Sequence, residues 1–262
     1  MSFGPPVLPA GPSRPLLAYQ LCHPELPAGS PPLRSLERYR HNLAVRLTSF
    51  VGREAALAEL GELLAEHALV TVTGSGGCGK TRLAQHVAAE ALGVRADEAW
   101  FVELSGLGDP GLVPGALMAA MGIQEVPGQP HTATLVAHLV DREALVLLDN
   151  CEHVLAGASA LAEALVSACG RLAVLATSRQ PLGVAGEVVW RVPSLSLPEA
   201  GALGALESSE AARLFWDRAR SARPGFAFSA GNAQAVAAIC QRLDGIPLAI
   251  ELAAARVALM SP

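Results

Sequence analysis

The sequence lacks a long apolar run, although 51% of its 262 residues are apolar. No run approaches the roughly 18 residues of a membrane span, so we expect no membrane-spanning segment. The N-terminal stretch has prolines where a signal peptide needs basic residues followed by an apolar core. These two absences predict a cytoplasmic protein.

Paired cysteines and an excess of positive charge are also missing. The five cysteines are widely scattered with no C-x-x-C pair, which favours reduced, mostly buried thiols over a disulfide framework or a zinc site. The net charge of −5 argues against a general nucleic-acid-binding surface. We therefore expect no direct DNA binding by this segment.

Lysine is almost absent, because only one of the 19 basic residues is a lysine, Lys80. The N-K-x-D motif with which Ras-like GTPases read guanine requires a second lysine, so guanine specificity is disfavoured. The one lysine lies in a position where arginine would not serve. A compact ammonium group fits inside a phosphate loop, whereas a guanidinium fork does not.

That lysine belongs to the stretch around which the chain is arranged, ALVTVTGSGGCGKT at 68–81. It fits the pattern G-x-x-x-x-G-K-[ST] of a P-loop between a strand and a helix. Its glycines allow backbone N–H groups to point at phosphate oxygens, Lys80 would contact the β- and γ-phosphates, and the Thr81 hydroxyl would ligate Mg²⁺. The residues expected to contact the nucleotide here are Gly74, Gly76, Gly77, Cys78, Gly79, Lys80, Thr81 and Arg82.

A P-loop also needs a carboxylate that holds Mg²⁺, at the end of a neighbouring buried strand. Asp149 ends the apolar run at 144–149 and fits this Walker B position, although such an aspartate can also be a turn residue. The interval from Lys80 to Asp149 leaves room for an intervening strand at 99–104. This is the arrangement of P-loop ATPases that insert a strand between their two Walker strands.

The pattern defines the hydrolytic base less well. Many such ATPases carry a second acid directly after the metal-binding aspartate, but this chain has Asn150, which can hold a water and cannot accept its proton. Glu152 is the nearest carboxylate, and it is equally well explained as a surface acid at a helix start. We therefore predict hydrolysis that is slow or that needs another element.

An arginine follows the strand predicted at 172–178. Arg179 can point at the γ-phosphate and report its presence, like an arginine finger in cis, and the alternative is a surface arginine at a strand end. The candidate catalytic residues are Lys80, Asp149, Arg179 and Glu152.

The order of elements predicts an α/β fold: a P-loop NTPase with three layers (α/β/α) and a five-stranded parallel sheet, followed by a small all-helical subdomain. The predicted strands are 69–73, 99–104, 144–149, 172–178 and 188–192. The predicted helices are 54–66, one from the P-loop to about 92, 111–121, 131–140, 155–168, 208–222, 232–245 and 247–260.

The chain divides into three predicted segments. Residues 1–47 are a proline-rich linker or tail, in which 16–23 could be one short strand. Residues 48–195 form the P-loop nucleotide-binding domain, and residues 196–262 form the helical subdomain.

Five stretches of the chain carry a resemblance to a known family. They are SFVGRE (49–54), GSGGCGKTRLA (74–84), LVLLDNCEHV (145–154), LATSRQPLGVAGE (175–187) and LDGIPLAIELAAAR (243–256). In this order the set closely resembles bacterial NB-ARC ATPases, which belong to the STAND class of signal-transduction ATPases. These occur in LuxR-like and antibiotic-regulatory-type transcriptional regulators, and the resemblance covers residues 48–262.

The resemblance implies a regulatory switch that binds ADP or ATP with Mg²⁺ and that can form nucleotide-dependent oligomers. In the family, the stretch matched by Val51, Gly52 and Arg53 lies along the adenine and ribose. The proline matched by Pro247 packs on the adenine ring. Arg179 matches the sensor-1 arginine, which contacts the γ-phosphate.

The resemblance is incomplete at both ends of the chain. Family members usually continue, after an ARC1-like segment matched here by 196–262, into a winged-helix domain, and effector and sensor domains are also missing. We therefore expect a fragment of a transcriptional regulator or a short gene product. The stretch 19–36 is similar to the segment after the cyclase domain in cyclase–NB-ARC proteins. Two other functions stay open: a constitutive ATPase or kinase-like enzyme, and a nucleotide-independent interaction module.

Overall fold

A computed structural model describes residues 39–44, 49–199 and 203–258. The possible strand at 16–23 and most of the proline-rich linker lie outside the described residues. Within the described part, strands and helices alternate as far as Arg191, and the chain is helical between 203 and 258 apart from short connections.

Six parallel strands form a single sheet. They are β1 (Arg40–His41), β2 (Leu69–Thr73), β3 (Glu98–Glu103), β4 (Ala144–Asp149), β5 (Leu172–Ser178) and β6 (Val188–Arg191). Their order in the sheet is β1-β3-β4-β5-β2-β6. β2 and β4 are buried along their whole length, as expected for apolar strands that are covered on both faces. Because all pairs are parallel, the loops that follow β2, β4 and β5 emerge at the same edge of the sheet.

The sheet has one strand more than the five predicted. β1 has two residues, pairs with the start of β3 and lies inside the segment predicted as a linker. Asn42 extends this pairing with its side chain: Nδ2 donates to the Phe101 carbonyl oxygen at 2.8 Å, and Oδ1 accepts from the Phe101 N–H at 2.6 Å. A strand of two residues is too short to show a hydrophobic period, so its pairing depends on the edge that β3 offers.

The stretch at 99–104 forms a strand between β2 and β4 along the chain, as predicted. In the sheet, however, it does not lie between these two strands. β3 follows β2 along the chain, yet it pairs with the far side of β4. β5 is the strand that pairs with both β2 and β4 and separates them. The apolar sequence of a strand does not specify its neighbours, because all strands that helices cover on both faces have similar apolar sequences.

Helices cover both faces of the sheet, which confirms the predicted three layers. The helices that cover the sheet are α1 (Glu54–Glu66), α2 (Lys80–Ala91), α3 (Val113–Met121), α4 (His131–Leu139) and α5 (Leu155–Ala168). The helices that follow the sheet are α6 (Leu203–Ser208), α7 (Glu210–Ala222), α8 (Ala233–Arg242) and α9 (Pro247–Ala255). Leu145 and Leu147 of β4 pack in the cluster that contains α1 and α2, and Val146 and Leu148 pack in the cluster that contains α3 to α5. This alternation is the two-residue period of a strand.

Helices α6 to α9 enclose a third apolar cluster around the fully buried Phe215. Backbone hydrogen bonds connect these helices and the turn before α9 to the preceding part of the chain. The Leu195 N–H donates to the Gly245 carbonyl oxygen at 3.1 Å, and the Leu248 N–H donates to the Gly77 carbonyl oxygen at 3.1 Å. The start of α9 therefore lies directly on the glycine-rich loop.

Some helix ends differ from the predicted ones. α6 was not predicted, because six residues show no helical period and tertiary packing buries its Leu206. α7 begins at Glu210, since the Ser209 side chain accepts a hydrogen bond from the Ala212 N–H at 3.2 Å and caps the helix. α9 ends at Ala255 and a 3-10 helix follows. None of the helices in the described ranges is long and apolar enough to cross a membrane.

Candidate functional site

The loop at 74–79 connects β2 to α2 through backbone conformations that favour glycine. Gly77 and Gly79 have φ values of +74° and +90°. A Cβ atom at Gly77 would lie 2.9 Å from the Cβ of Leu248, so a side chain there would push α9 away from the loop. The turn itself and the close approach of α9 both require the small residue.

Lys80 is the first residue of α2 and is buried, with 7% of its surface exposed. Its Nζ donates hydrogen bonds to the carbonyl oxygens of Gly74 at 2.9 Å and Ser75 at 3.0 Å. The ammonium group is thus held on the loop, next to the N-terminus of α2 with its unpaired backbone N–H groups. An anion bound at this end of the helix would meet two sources of positive charge.

Asp149 ends β4 and accepts two short hydrogen bonds. Oγ1 of Thr81 and Oγ1 of Thr177 each donate to Asp149 Oδ1 at 2.6 Å. Thr81 lies at the start of α2 and Thr177 near the end of β5, so the ends of neighbouring elements meet at this carboxylate. The structure thus brings together the two residues that the sequence predicts as Mg²⁺ ligands.

Burial raises the pKa of Asp149 above its ordinary value, and the nearby acids Glu103 and Glu152 add to the rise. The hydrogen bonds from Thr177 and Thr81 act in the opposite direction. Only 2% of Asp149 is exposed, so its charged form has lost most of its hydration. A cation placed at its oxygens would favour that charged form.

The predicted base and the predicted γ-phosphate sensor contact each other. Nε of Arg179 lies 3.1 Å from Oε1 of Glu152. The Glu152 side chain is 12% exposed and its Oε2 is buried without a hydrogen-bond partner, whereas the Arg179 side chain is 66% exposed. Asn150, which follows the metal-binding candidate, donates from Nδ2 to Asp149 Oδ2 at 3.2 Å.

A cavity of about 320 Å³ opens between the loop, the ends of β4 and β5, and the start of α9. We call it the phosphate-side cavity. The loop and α2 contribute Gly76, Gly77, Gly79, Lys80, Thr81 and Arg82. The strand ends contribute Asn150, Glu152 and Arg179, and α9 contributes Pro247, Leu248 and Glu251. The predicted residues Gly74, Cys78 and Asp149 do not line it.

A smaller cavity of about 40 Å³, which we call the base-side cavity, adjoins it. Val51, Arg53 and Pro247, for which the resemblance implies adenine contacts, line this cavity together with Leu214. Gly52 does not line it. The structure therefore places three of the four predicted base contacts around one space.

Arg53 is buried and fastens the segment before α1 to the loop. Its Nη2 donates to the carbonyl oxygens of Cys78 at 2.7 Å and Pro193 at 3.1 Å, and its N–H donates to the Glu210 carboxylate. Burial lowers the pKa of the guanidinium group, and Nη1 is buried without a partner. A Cβ at Gly52 would lie 2.9 Å from Cγ of Glu210, which explains why this position is a glycine.

Sequence reasoning assigned no role to several residues that the structure brings to the site. Thr177 donates a hydrogen bond to the Asp149 carboxylate, but a threonine in a buried strand carries no sequence signal of its partner. The sequence did contain a signal for Leu248 and Glu251, because both follow Pro247 within α9. Glu251 comes four residues after Pro247 and therefore lies on the same face of the helix.

No family model matches the chain. An uncharacterized protein of Mycobacterium tuberculosis H37Rv, Rv0894, is 40% identical over 246 residues, which cover 94% of this chain and 59% of that protein. Rv0890c of the same strain, named as a candidate HTH-type transcriptional regulator, is 47% identical over 200 residues, 76% of this chain and 21% of that protein. The regulatory protein AfsR of Streptomyces griseus is 32% identical over 229 residues, 82% of this chain and 22% of that protein. The chain thus spans about three fifths or less of these relatives.

Two solved structures share the fold. Cdc6p of Pyrobaculum aerophilum has a TM-score of 0.53 at 17% identity, over 78% of this chain and 62% of that chain. The Walker-type ATPase PABY2304 of Pyrococcus abyssi has a TM-score of 0.51 at 15% identity, over 82% of this chain and 70% of that chain. At this level of identity the likeness concerns the fold alone.

The fold and the site define a P-loop NTPase domain with a helical part beside its sheet. Among the relatives are a candidate HTH-type transcriptional regulator and the regulatory protein AfsR, and the chain matches a segment of each. These relatives confirm the resemblance to regulatory proteins that the sequence predicts.

Proposed function

We propose that this chain is an adenine-nucleotide switch that binds ADP or ATP with Mg²⁺ in the cytoplasm and hydrolyses ATP slowly at most. One observation carries the proposal: the phosphate-side cavity is lined both by the sheet end of the molecule and by α9. A ligand there touches the nucleotide-binding segment (48–195) and the helical segment (196–262). It can therefore bias their relative position.

The phosphates would lie on the glycine-rich loop. Lys80 and the N-terminus of α2 attract them, and exchange of the carbonyl contacts of Lys80 for phosphate oxygens would give stronger, charge-assisted hydrogen bonds. Arg179 lies across the same cavity with a side chain that is mostly exposed, so it can reach a γ-phosphate when it leaves Glu152.

The residues at the end of β4 fit Mg²⁺. Thr81 and Asp149 present oxygen atoms 2.6 Å apart, and oxygen is the ligand that Mg²⁺ prefers. Within the described ranges no group of three or more His, Cys, Asp or Glu side chains is arranged to hold a metal ion. The ion would therefore depend on phosphate oxygens and water, which is its usual mode in nucleotide sites.

The adenine would lie at the base-side cavity. Val51, Leu214 and Pro247 provide apolar surface for the ring, and the buried Nη1 of Arg53 offers a hydrogen-bond donor. The space of about 40 Å³ is small for a purine, since one water already occupies about 10–15 Å³ by this measure. Binding of the base would thus require α9 and the segment before α1 to separate.

Slow hydrolysis follows from the state of the candidate bases. Asn150, which directly follows Asp149, cannot accept a proton, and Glu152, the nearest carboxylate along the chain, lies at a shifted position. This arrangement favours a switch over a constitutive ATPase.

Calorimetric titration of the chain with ADP and with Mg²⁺-ATP tests the proposal. We expect binding that both Lys80→Ala and Lys80→Arg weaken at least tenfold, since a charge-assisted hydrogen bond contributes about 1.5–3 kcal/mol. Arg242→Ala, an exposed position on α8, serves as the control. Binding weaker than about 1 mM, or no loss in the Lys80 variants, would overturn the proposal.

Two further measurements separate the alternatives. Phosphate release at or above about 1 s⁻¹ would favour a constitutive enzyme over a switch. An unchanged melting temperature at saturating ADP would favour an interaction module that does not bind nucleotide, because a ligand that binds only the folded state must raise its stability.

A further inference from the structure

The two cavities of the site share part of their walls. Within the part of the chain that the structure describes, four residues line both the base-side and the phosphate-side cavity: Gly79, Arg82, Pro247 and Glu251. In any nucleotide the sugar connects the base to the phosphates. A nucleotide that places its base in one cavity and its phosphates in the other must place its ribose at this shared wall.

The four shared residues differ in what they offer a sugar. Proline has no donor, glycine offers only its backbone, and the Arg82 guanidinium can only donate. Glu251 alone carries a side-chain acceptor. Ribose hydroxyl groups donate hydrogen bonds, and carboxylates receive them in other nucleotide folds, where an acidic residue binds the ribose 2′-hydroxyl.

The Glu251 carboxylate is held in place by two arginines. Nε of Arg218 donates to Oε1 at 3.0 Å, and Nη1 of Arg82 lies 3.5 Å from the same oxygen. The carboxylate is 30% exposed, and with two oxygens it has acceptor sites beyond these two contacts. The flanking positive charges also reduce its repulsion of nearby phosphates.

Arg82 is itself fixed at the junction. Its guanidinium group lies 5.7 Å from the centroid of the Phe50 ring, and Nη2 donates to the Ser49 carbonyl oxygen. Arg218 also donates to Ser49, from Nη2 to the carbonyl oxygen at 3.1 Å. Glu251 therefore belongs to a network that joins α2, α7, α9 and the segment before α1.

We propose that Glu251 is the ribose-reading residue of this site and that it selects ribonucleotides over deoxyribonucleotides by accepting a sugar hydroxyl. The proposal rests on the proposed adenine-nucleotide function. Because Glu251 is on α9, the sugar contact also connects the helical part directly to the ligand.

The test compares Mg²⁺-ATP with its 2′-deoxy and 3′-deoxy analogues by calorimetry on the chain. We expect wild-type protein to bind ATP about tenfold or more tightly than at least one analogue, the range given by one hydrogen bond to a charged group. Glu251→Gln keeps the volume and one acceptor oxygen, so the preference should shrink. Glu251→Ala should bind ATP and the analogue equally.

Asp217→Asn is the matched control. Asp217 contacts the same Arg218 and Ser49 but lines neither cavity, so the variant disturbs the network without removing the proposed acceptor. It should keep the wild-type preference. Circular dichroism verifies that each variant is folded.

The outcomes separate this inference from the function on which it rests. No binding of any nucleotide by wild-type protein overturns both. Equal binding of all three nucleotides by wild-type protein overturns the ribose assignment alone. The assignment also fails if folded Glu251→Ala keeps the preference, or if both Glu251 variants lose ATP binding altogether, since the residue would then support the fold of the site without reading the sugar.

Discussion

The carboxyl group of Asp149 can lower the stability of the ligand-free protein and raise the stability of its complex with a cation. Burial raises the pKa of Asp149, so the folded state binds this proton more tightly than the unfolded chain does. The stabilisation is fully present below the ordinary aspartate pKa of about 3.9 and is lost as the pH rises through the higher folded pKa. Above the folded pKa, the ionised group therefore lowers the stability of the ligand-free protein, and a bound cation would relieve this effect.

We predict that Asp149→Asn raises the melting temperature of the ligand-free chain at pH 8 relative to wild type. An amide cannot ionise, and its oxygen can keep the hydrogen bonds from Thr81 and Thr177. The difference should shrink as the pH falls, because the raised pKa lets the wild-type carboxyl take up its proton at a higher pH than an ordinary aspartate does. The same variant should lose most of the rise in melting temperature that Mg²⁺-ATP gives the wild type. Thermal scans across pH, with and without nucleotide and EDTA, measure both effects.

Glu98→Gln provides the contrast for this prediction. Glu98 is also buried, but it faces the Arg142 guanidinium at 3.0 Å, so its charge has a partner. Its replacement should lower the melting temperature at pH 8. If Asp149→Asn were no more stable than wild type at pH 8 and kept the full response to Mg²⁺-ATP, the interpretation of Asp149 would be wrong.

Arg179 gives a second prediction at the residue scale. Arg179→Ala should weaken binding of Mg²⁺-ATP by about tenfold or more and leave ADP affinity within about twofold, because only ATP carries the γ-phosphate that the arginine would contact. Calorimetry with both nucleotides measures this ratio.

The same strand supplies the control for that prediction. Arg171 lies before β5 as Arg179 lies after it, and it is an exposed arginine paired with an acid, Glu143. Arg171→Ala should change neither affinity. An equal loss of ATP and ADP affinity in Arg179→Ala would show that the arginine holds the site together and does not sense the γ-phosphate.

At the scale of elements, the turn between α8 and α9 sets where α9 meets the loop. Gly245 has a φ of +65°, and a Cβ there would lie 2.4 Å from the Leu195 carbonyl oxygen. The Gly245 carbonyl oxygen also accepts from the Leu195 N–H at 3.1 Å. This close approach of two backbones positions Pro247 and the residues that follow it.

We predict that Gly245→Ala destabilises the chain by about 1–2 kcal/mol or more, since a left-handed conformation costs a non-glycine residue that amount before the contact is counted. Urea unfolding measures the change in the free energy of unfolding. Gly231→Ala is the control in the same helical part, because its nearest neighbour outside the turn is Ser229 Oγ at 3.8 Å. Equal stability of the two variants would contradict the proposed packing of the turn.

The elements themselves differed in how far the sequence could predict them. β4 was clear because it begins with five apolar residues, as expected for a strand that is buried on both faces, and β2 was clear because it leads into the P-loop pattern. β1 and α6 were missed because two and six residues carry no readable period, and both form through tertiary contacts, such as the Asn42 side chain with Phe101 and the burial of Leu206. The predicted position of β3 in the sheet was wrong, because the apolar sequence of a strand does not indicate which strands lie beside it.

At the scale of the whole molecule, a nucleotide bound between the sheet and α9 should stabilise both. We predict that Mg²⁺-ATP at 100 times its dissociation constant stabilises the chain by about 2.7 kcal/mol. Amide hydrogen exchange should slow in α2 and also in α7 and α9, because Glu251 connects these helices to the site. Protection that stays confined to the sheet and α2 would show that the helical part does not take part in binding. Lys80→Ala should reduce the effect at the same concentration of Mg²⁺-ATP, because it weakens binding.

The sequence by itself determined the fold class of this protein. The pattern around Lys80, the aspartate after an apolar run and the order of elements were sufficient for a P-loop NTPase fold, because backbone phosphate loops and doubly covered strands need particular residues at fixed spacing. Only the tertiary structure decided which groups face one another. Thr177 on Asp149, Glu152 on Arg179, and Glu251 at the junction of two cavities come from distant parts of the chain, and local patterns do not encode such distances.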